Sequence, residues 1–348
     1  MPTDKKRHRF FLFRAKFLVP LAALILAGTG VYFYLCYHFP TGEGPAGPPV
    51  PRELFAQPWT QRKVLLLGLG DSVTAGFGVP KDRSYFHRLA MGGGDDPEAM
   101  RGVCLSAVIP NLTVRNAAVS GSNSIAHLEK QIASMNVQDA DVMGLVVMTT
   151  GGNDILHEYG RMPPKEGAMY GATMEQAGPW IDNFRQRLDK MLDELNDKFP
   201  GGCEVFLADI YDPTDGKGVP WGAPYPDWKE LEGVMGRYNE IIHAACRRPN
   251  VHLVLMHDAF LGHGLCCSRF WERCHRSDDP TVWYAINIED PNERGYDAIR
   301  RLFLLEMAKV LRRQGVRKRP FGTNLSASPE ILTADELPLD LYRVIAVA

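Results

Sequence analysis

The chain has 348 residues, of which 45% are hydrophobic and 23% charged, and its formal net charge is −2. These fractions are close to those of globular proteins, so the chain can bury a sizeable core and need not be disordered between its ends. The near balance of acidic and basic residues provides no electrostatic basis for binding nucleic acid, and we exclude a nucleic-acid partner.

The N-terminal residues predict a membrane anchor. Residues 1–16 form a basic segment with six Lys and Arg residues, and residues 17–39 contain no Asp, Glu, Lys or Arg. A bilayer span needs about 20 apolar residues, and the preceding positive charge predicts a cytoplasmic N-terminus. We therefore expect a single-pass signal-anchor at 17–39, with the rest of the chain outside the cytoplasm. The alternative is a cleaved signal peptide, but there is no convincing small-x-small cleavage site, and the aromatic residues within 31–37 are typical of an interface anchor.

The remaining chain divides by composition into three parts. Residues 40–60 are rich in Pro and Gly, which predicts an extended linker. Residues 61–318 carry the alternating patterns of one folded domain, and residues 319–348 show no clear period and are expected to form a C-terminal tail.

Within the domain, short apolar runs alternate with helical patterns, of which the clearest are at 180–199 and about 293–314. This alternation predicts a doubly wound α/β architecture, with parallel strands and helices on both faces of the sheet. Functional residues in such folds lie at the carboxyl ends of the strands. The predicted strands, all expected to be buried, are 64–69, 112–119, 142–149, 205–210 and 251–256.

Neither a metal nor a cofactor is expected. Six cysteines lie beyond the apolar run and could form up to three disulfides in an oxidising compartment, in a pairing that the sequence does not reveal. Three of them lie near His263 and His275, but this spacing matches no recurrent zinc pattern. Oxygen ligands for calcium are present at Asp209, Asp212 and Asp215, yet Asp-Pro and Asp-Gly are stronger as turn signals.

A serine follows the first predicted strand directly. Ser72 lies just past that buried strand, in a turn that contains Gly70 and Gly76. A serine exposed in this way can act as a nucleophile when a neighbouring base takes its proton and N–H donors stabilise the oxyanion that follows. Taken alone, a serine in a turn is as well explained as a helix cap.

Glycine-bearing polar turns also follow the next two predicted strands. The turn at 116–121 ends in Gly121, and the turn at 151–154 contains Asn153. Because all three turns fall on one edge of the sheet, we expect the backbone N–H groups of Ser72 and Gly121 and the side-chain amide of Asn153 to converge as oxyanion donors. The alternative for Asn153 alone is a helix cap.

These three segments, in this order and at these strand ends, resemble blocks I, II and III of the SGNH or GDSL hydrolase family, and the resemblance extends over about residues 64–311. It implies a three-layer α/β/α fold with a mostly parallel, flavodoxin-like sheet. It also implies Ser72 as the nucleophile, with Gly121 and Asn153 completing the oxyanion hole. The implied substrates are acyl esters: lipids, acetylated carbohydrates or small esters. Val73 stands where the family usually has Leu.

The fourth block departs from the family pattern. The family's Asp-x-x-His, followed by Pro-Asn and a later Gly-Tyr, corresponds here to residues 287–296, where Asn287 replaces the aspartate and Asp290 replaces the catalytic histidine. An aspartate at this place can hydrogen-bond to the serine directly, but its unperturbed pKa of about 3.9 makes it a weak base at neutral pH.

A histidine from elsewhere in the chain can restore the triad. We favour His263 as the general base, because it lies between two glycines in the loop after the fifth predicted strand. Asp290 or Asp258 would orient its ring as the third member, since a triad is recognised by geometry and not by order along the chain. His257 and His275 are the alternatives.

Two functions follow from these observations. The first is a membrane-anchored, extracytoplasmic serine esterase that cleaves acyl esters through an acyl-enzyme on Ser72. The second is a catalytically inactive or glycan-binding protein of the same fold, because the fourth block lacks its histidine. Labelling by a fluorophosphonate probe that depends on Ser72 would distinguish the enzyme from the binding protein.

Overall fold

A computed structural model of the protein describes residues 4–218 and 226–317. The predicted C-terminal tail at 319–348 lies outside the described residues. A parallel sheet with the strand order β2-β1-β3-β4-β5 forms the centre of the domain. Its strands are β1 (Lys63–Leu69), β2 (Leu112–Asn116), β3 (Val142–Met148), β4 (Cys203–Ala208) and β5 (Val251–Val254).

The strand order explains where a site can form. The chain runs from β1 outward to β2, then crosses back to β3 on the other side of β1. The chain connections therefore leave β1 and β3 in opposite directions. Open α/β sheets form their ligand crevices at the carboxyl ends of two such strands. The predicted strands are confirmed to within three residues. The exception concerns burial, because β2 is an edge strand and is largely exposed.

The helices vary widely in length. They are α1 (Asp4–Tyr37), α2 (Ser72–Ala75), α3 (Tyr85–Met91), α4 (Leu105–Val108), α5 (Ser124–Ala126), α6 (Gly152–Leu156), α7 (Met174–Lys198), α8 (Leu231–Ala245), α9 (Met256–Phe260) and α10 (Glu293–Arg317). The pattern at 180–199 is confirmed as α7, which begins six residues earlier than predicted. A capping box between Thr173 and Gln176 explains the earlier start, because each side chain bonds to the other residue's backbone N–H.

Two apolar layers enclose the sheet. Along the central strands, alternate side chains enter opposite layers: Leu66 and Leu145 pack with α3 and α10, whereas Leu67 and Val146 pack with α7 and α8. This is the period of two that a strand imposes on its side chains. Because both faces are covered, β1 and β3 are continuous hydrophobic runs. The fold is therefore the three-layer α/β/α arrangement that the sequence predicts.

The segment predicted to be a linker packs on the domain instead. The Pro40 carbonyl accepts the N–H of Val282 at 2.7 Å, and Ala46 belongs to the buried core. Further along, the rings of Phe55 and Trp59 pack 5.0 Å apart and are both buried. The folded unit thus begins near Pro40 and not near residue 61. The segment is rich in Pro and Gly, as a linker would be, but burial of its apolar side chains stabilises its packing on the domain.

Helix α1 is long and apolar enough to cross a membrane. Its most apolar stretch, Phe17–Tyr34, has a mean hydropathy of 1.9, and none of it is buried against the rest of the protein. Length and composition of this kind are shared by membrane anchors and signal sequences.

A buried ion cluster attaches α10 to the loop after α3. The guanidinium of Arg300, which is fully buried, lies 2.8 Å from an Asp96 oxygen and 2.7 Å from an Asp297 oxygen. Asp297 also pairs with Arg301 at 2.8 Å and accepts the backbone N–H of Ala46 at 3.3 Å. The cluster therefore holds together the last helix, one loop and the segment that precedes β1.

Replacement of Arg300 by Met should destabilise the domain by about 2–4 kcal/mol, because two buried carboxylates would each lose a close ion pair and keep only their remaining ionic partners, Arg301 for Asp297 and the more distant Arg88 for Asp96. Chemical denaturation of the full chain in detergent measures this loss. The matched control is Arg185→Met, whose pair with Asp182 is exposed and 3.9 Å long and should contribute less than about 1 kcal/mol. Equal stability of the two variants would contradict the prediction.

Candidate active site

Ser72 is the first residue of α2 and lies directly beyond β1. The preceding Asp71 caps this helix, since its Oδ1 accepts the N–H of Val73 at 3.1 Å and the hydroxyl of Thr149 at 2.8 Å. Gly70 has a φ of +124°, and a Cβ at this position would lie 2.1 Å from the Thr149 carbonyl oxygen. Only glycine fits there. The close packing of Gly70 against Thr149 therefore fixes the turn that connects β1 to Ser72.

A buried polar network joins the turns that follow β1, β2 and β3. The Gln131 side chain bonds to both backbone groups of Gly70, at 2.9 and 2.8 Å, and the Ser122 hydroxyl lies 2.9 Å from the Gly70 carbonyl. His127 bridges Ser122 and Thr150 through its two ring nitrogens, at 2.9 and 2.8 Å. Burial lowers the pKa of His127 to about 3, so this imidazole is neutral and supplies one donor and one acceptor.

The predicted oxyanion donors lie at this edge of the sheet. Ser72 and Asn153 line the same cleft, which we call the serine cleft. One N–H of the Asn153 amide donates to the Ser122 carbonyl at 2.9 Å, which fixes the orientation of that side chain. Gly121 precedes Ser122 on the exposed rim of this region, with a φ of +77°.

Asp290, which stands at the family's histidine position, is buried beside the serine. Its Oδ2 accepts the Asn287 amide at 2.8 Å, and its backbone N–H donates to the Asn287 Oδ1 at 3.2 Å. Burial raises the pKa of Asp290, and the Ser72 hydroxyl and the Asn287 amide both act against that rise. Its Oδ1 is buried and has no hydrogen-bond partner among the described residues. Asn287 and Asp290 are thus hydrogen-bonded to each other, and the Ser72 hydroxyl influences the pKa of Asp290.

Two further carboxyl groups surround the serine. Burial, opposed by the Thr149 hydroxyl, raises the pKa of Asp71 to about 6. Burial and the nearby charges of Asp290 and Asp71 raise the pKa of Glu289 to about 8. Glu289 also lines the serine cleft, and our sequence reasoning missed it. The available signal was its position next to Asp290 in the fourth block.

His263, the predicted general base, does not line the serine cleft. Its Nδ1 is 3.0 Å from the Thr281 carbonyl, and its ring stacks on Trp283 with centroids 3.5 Å apart. Trp283 packs edge-on against Phe260, which in turn stacks on Tyr211, a residue of the serine cleft. These three rings separate the imidazole from the cleft, and burial lowers its pKa to about 4. The general-base role of His263 therefore stays a prediction without a supporting contact.

The two alternative histidines also make structural contacts. The Nδ1 atom of His257 is 2.8 Å from the Ile210 carbonyl, and that of His275 is 3.0 Å from the Cys267 carbonyl. Among the residues of known position, no histidine lines the serine cleft. In the same part of the chain, no three His, Cys, Asp or Glu side chains are grouped to hold a metal, and the six cysteines beyond α1 are free thiols.

Several solved structures are similar to this chain at low identity. A lipase from Streptomyces rimosus is 16% identical, with a TM-score of 0.46, over 70% of this chain and 99% of its own. An acetyl-xylooligosaccharide esterase from Geobacillus is 17% identical, with a TM-score of 0.46, over 71% of this chain and 95% of its own. Among curated proteins, YpmR of Bacillus subtilis (strain 168) is 22% identical over 201 residues, which are 57% of this chain and 68% of YpmR.

A model of one protein family matches the region that carries the site. The GDSL-like lipase/acylhydrolase family matches residues 69–298. This range includes Ser72, Gly121, Asn153 and Asp290, and it covers more than half of the chain. The chain therefore belongs to the GDSL-like lipase/acylhydrolase family and is a hydrolase of ester bonds.

Proposed function

We propose that this protein is a serine esterase that forms an acyl-enzyme on Ser72, with Asp290 as the base that activates the hydroxyl. One observation carries the proposal: the Ser72 hydroxyl opposes the rise in the pKa of the buried Asp290 carboxyl, and the Oδ1 atom of that carboxyl has no hydrogen-bond partner among the described residues. A serine is a useful nucleophile only when a neighbouring group accepts its proton. Asp290 is the side chain best placed to do so.

The geometry supports a two-step acyl transfer. Asp290 takes the Ser72 proton as the serine oxygen attacks the ester carbonyl, and the Asn287 amide holds the carboxylate in place. The negative charge that develops on the carbonyl oxygen is stabilised by preorganised N–H donors. These are the backbone N–H groups of Ser72 and Gly121 and the second N–H of the Asn153 amide. Water then hydrolyses the acyl-enzyme.

Burial makes an aspartate a better base than it is in water. A carboxylate with the ordinary pKa of about 3.9 holds a proton weakly at neutral pH. Asp290 is only 4% exposed, and removal from water disfavours its charged form, which raises its pKa and its proton affinity. The Asn287 amide preserves the function of an orienting partner, although both residues differ from those of the family.

We also propose that α1 anchors the protein in a membrane and that the catalytic domain lies outside the cytoplasm. The support is the uncharged stretch Phe17–Tyr34, which follows a basic segment. The charge asymmetry predicts a cytoplasmic N-terminus. An acyl ester in or near the membrane, such as a lipid or an acylated carbohydrate, is the substrate class that we expect at such a location.

Replacement of Ser72 by Ala should abolish ester hydrolysis and labelling by a fluorophosphonate probe, because the attacking oxygen is removed. Hydrolysis of small p-nitrophenyl esters should fall by at least about 10³-fold. The control is Ser106→Ala, which changes an exposed serine and should leave both readouts unchanged. A folded wild-type protein that is neither labelled nor active would instead support the inactive or glycan-binding alternative.

Replacement of Asp290 by Asn should lower kcat/KM by about 10²–10⁴-fold, because Asn cannot accept the serine proton. In the wild type, activity should be present above the raised pKa of Asp290 and lost as the pH falls through it, since the protonated carboxyl is no base. A pH–rate profile measures this acid limb.

The matched control for Asp290 is His263→Gln, which keeps a polar side chain in the stack on Trp283. It should retain activity to within about threefold, because three rings separate His263 from the serine cleft. If a folded His263→Gln protein lost activity while Asp290→Asn kept the wild-type kcat/KM, the general base would be His263 and not Asp290.

The full chain should sediment with membranes in a bacterial host, resist extraction by alkaline carbonate and dissolve in detergent, because α1 remains in the bilayer. Protease added to intact spheroplasts should digest the domain. A chain that lacks residues 1–39 should be soluble. Recovery of the full chain in the carbonate supernatant would exclude the anchor.

A further inference from the structure

Glu289 lies between the serine cleft and a second pocket, and its carboxyl group has no partner among the described residues. It lines that cleft, and it also lines an adjoining apolar pocket whose walls include Leu156, Tyr170 and Ile288. Its side chain is half-buried, and no hydrogen bond or ion pair of its carboxyl group is present among the described residues. The proposed proton transfer from Ser72 to Asp290 does not use this group.

The backbone holds Glu289 firmly in this place. Its N–H donates to the Asn287 Oδ1 at 3.3 Å, and its carbonyl accepts the Tyr211 hydroxyl at 2.5 Å. The preceding Ile288 has a φ of +53°, which is a strained conformation for a β-branched residue. Such strain persists where the surrounding structure determines the conformation, and it is often found at functional sites. Here the strained residue directly precedes a glutamate that lines the same cleft as Ser72.

We infer that Glu289 is the catalytic acid that protonates the leaving alcohol during acylation of Ser72. The inference rests on the proposed function and adds the second proton-transfer group that an ester hydrolase with a poor leaving group requires. It gives the two adjacent carboxyl groups opposite tasks: Asp290 accepts a proton and Glu289 donates one.

The proton balance closes over one catalytic cycle. In acylation, the Ser72 proton passes to Asp290, the serine oxygen bonds to the carbonyl carbon, and the bond to the alcohol oxygen breaks as that oxygen takes the Glu289 proton. In deacylation, the ionised Glu289 takes a proton from water as the water oxygen attacks. The protonated Asp290 then returns its proton to the serine oxygen. Both carboxyl groups end as they began.

The electrostatic surroundings agree with these roles. Burial is the main reason that the pKa of Glu289 rises to about 8, and the charges of Asp290 and Asp71 raise it further. At neutral pH, Glu289 is therefore mainly protonated and able to act as an acid. Neighbouring groups whose environments separate their pKa values are typical of acid–base pairs. The other titratable groups of the cleft and the adjoining pocket are Asp209, Tyr211, Tyr159 and Tyr170.

The test compares two esters of the same acid in wild-type and Glu289→Gln full-length protein in detergent. An ethyl ester needs protonation of its leaving oxygen, whereas a p-nitrophenyl ester does not, because its leaving group is a stable anion. We expect kcat/KM for the ethyl ester to fall by about 10²-fold or more. For the p-nitrophenyl ester it should stay within about threefold. Glu129→Gln, an exposed substitution, should leave both values unchanged.

A second readout is the pH profile with the ethyl ester. Wild-type kcat/KM should fall as the pH rises through about 8, because Glu289 loses the proton that it must donate. Glu289→Gln should lack this limb. Equal losses on both esters, or no loss on the ethyl ester, with fluorophosphonate labelling of Ser72 intact, would overturn the role of Glu289 alone. Absence of labelling and of hydrolysis in the wild type would overturn the proposed function and this inference with it.

Discussion

The close packing of Gly70 against the end of β3 is the constraint on which the site depends. A Cβ at Gly70 would lie 2.1 Å from the Thr149 carbonyl oxygen, so the turn can exist only with glycine. Both backbone groups of Gly70 bond to Gln131, and its carbonyl also accepts from Ser122. Because Ser122 in turn holds the Asn153 amide through its own carbonyl, this one turn links the proposed nucleophile Ser72 to the proposed oxyanion donors. The neutral His127 completes the network without introducing a charge.

An aspartate stands at the position where the family pattern has a histidine, and two further carboxyl groups lie near it. Asp71, Glu289 and Asp290 lie around one serine, and burial raises the pKa of each. The charge of Asp290 raises the pKa of both Asp71 and Glu289, so the three carboxyl groups form one electrostatically linked group. Such a group can hold one ionised and one protonated carboxyl at neutral pH, which is the combination that acid–base catalysis needs. The Asn287 amide acts against the rise in the pKa of Asp290, and the Thr149 hydroxyl acts against that of Asp71.

The α/β architecture could be predicted from the sequence because it follows from the spacing of apolar residues along short segments. Strands buried on both faces appear as continuous apolar runs, and α7 appears as a stripe at helical spacing. The three turns at the strand ends were predicted for the same reason. The boundaries were less accessible: residues 40–60 resembled a linker by composition, yet Ala46, Phe55 and Trp59 are buried. Burial of that segment depends on surfaces of α10 and the late loops, which no local pattern reveals.

By itself, the sequence determined the sheet, the position of Ser72 at its edge and the absence of a histidine from the fourth block. Only the tertiary structure decided which side chains adjoin that serine. His263 was attractive between its two glycines, but its ring stacks on Trp283 behind further aromatic rings, and such packing depends on residues far apart in the chain. In the sequence, only its position next to Asp290 distinguishes Glu289 from other acidic residues. In the folded chain, burial and two neighbouring carboxyl groups raise its pKa. The physical reason is that proton affinity depends on solvent exclusion and on nearby charge, which the folded chain alone creates.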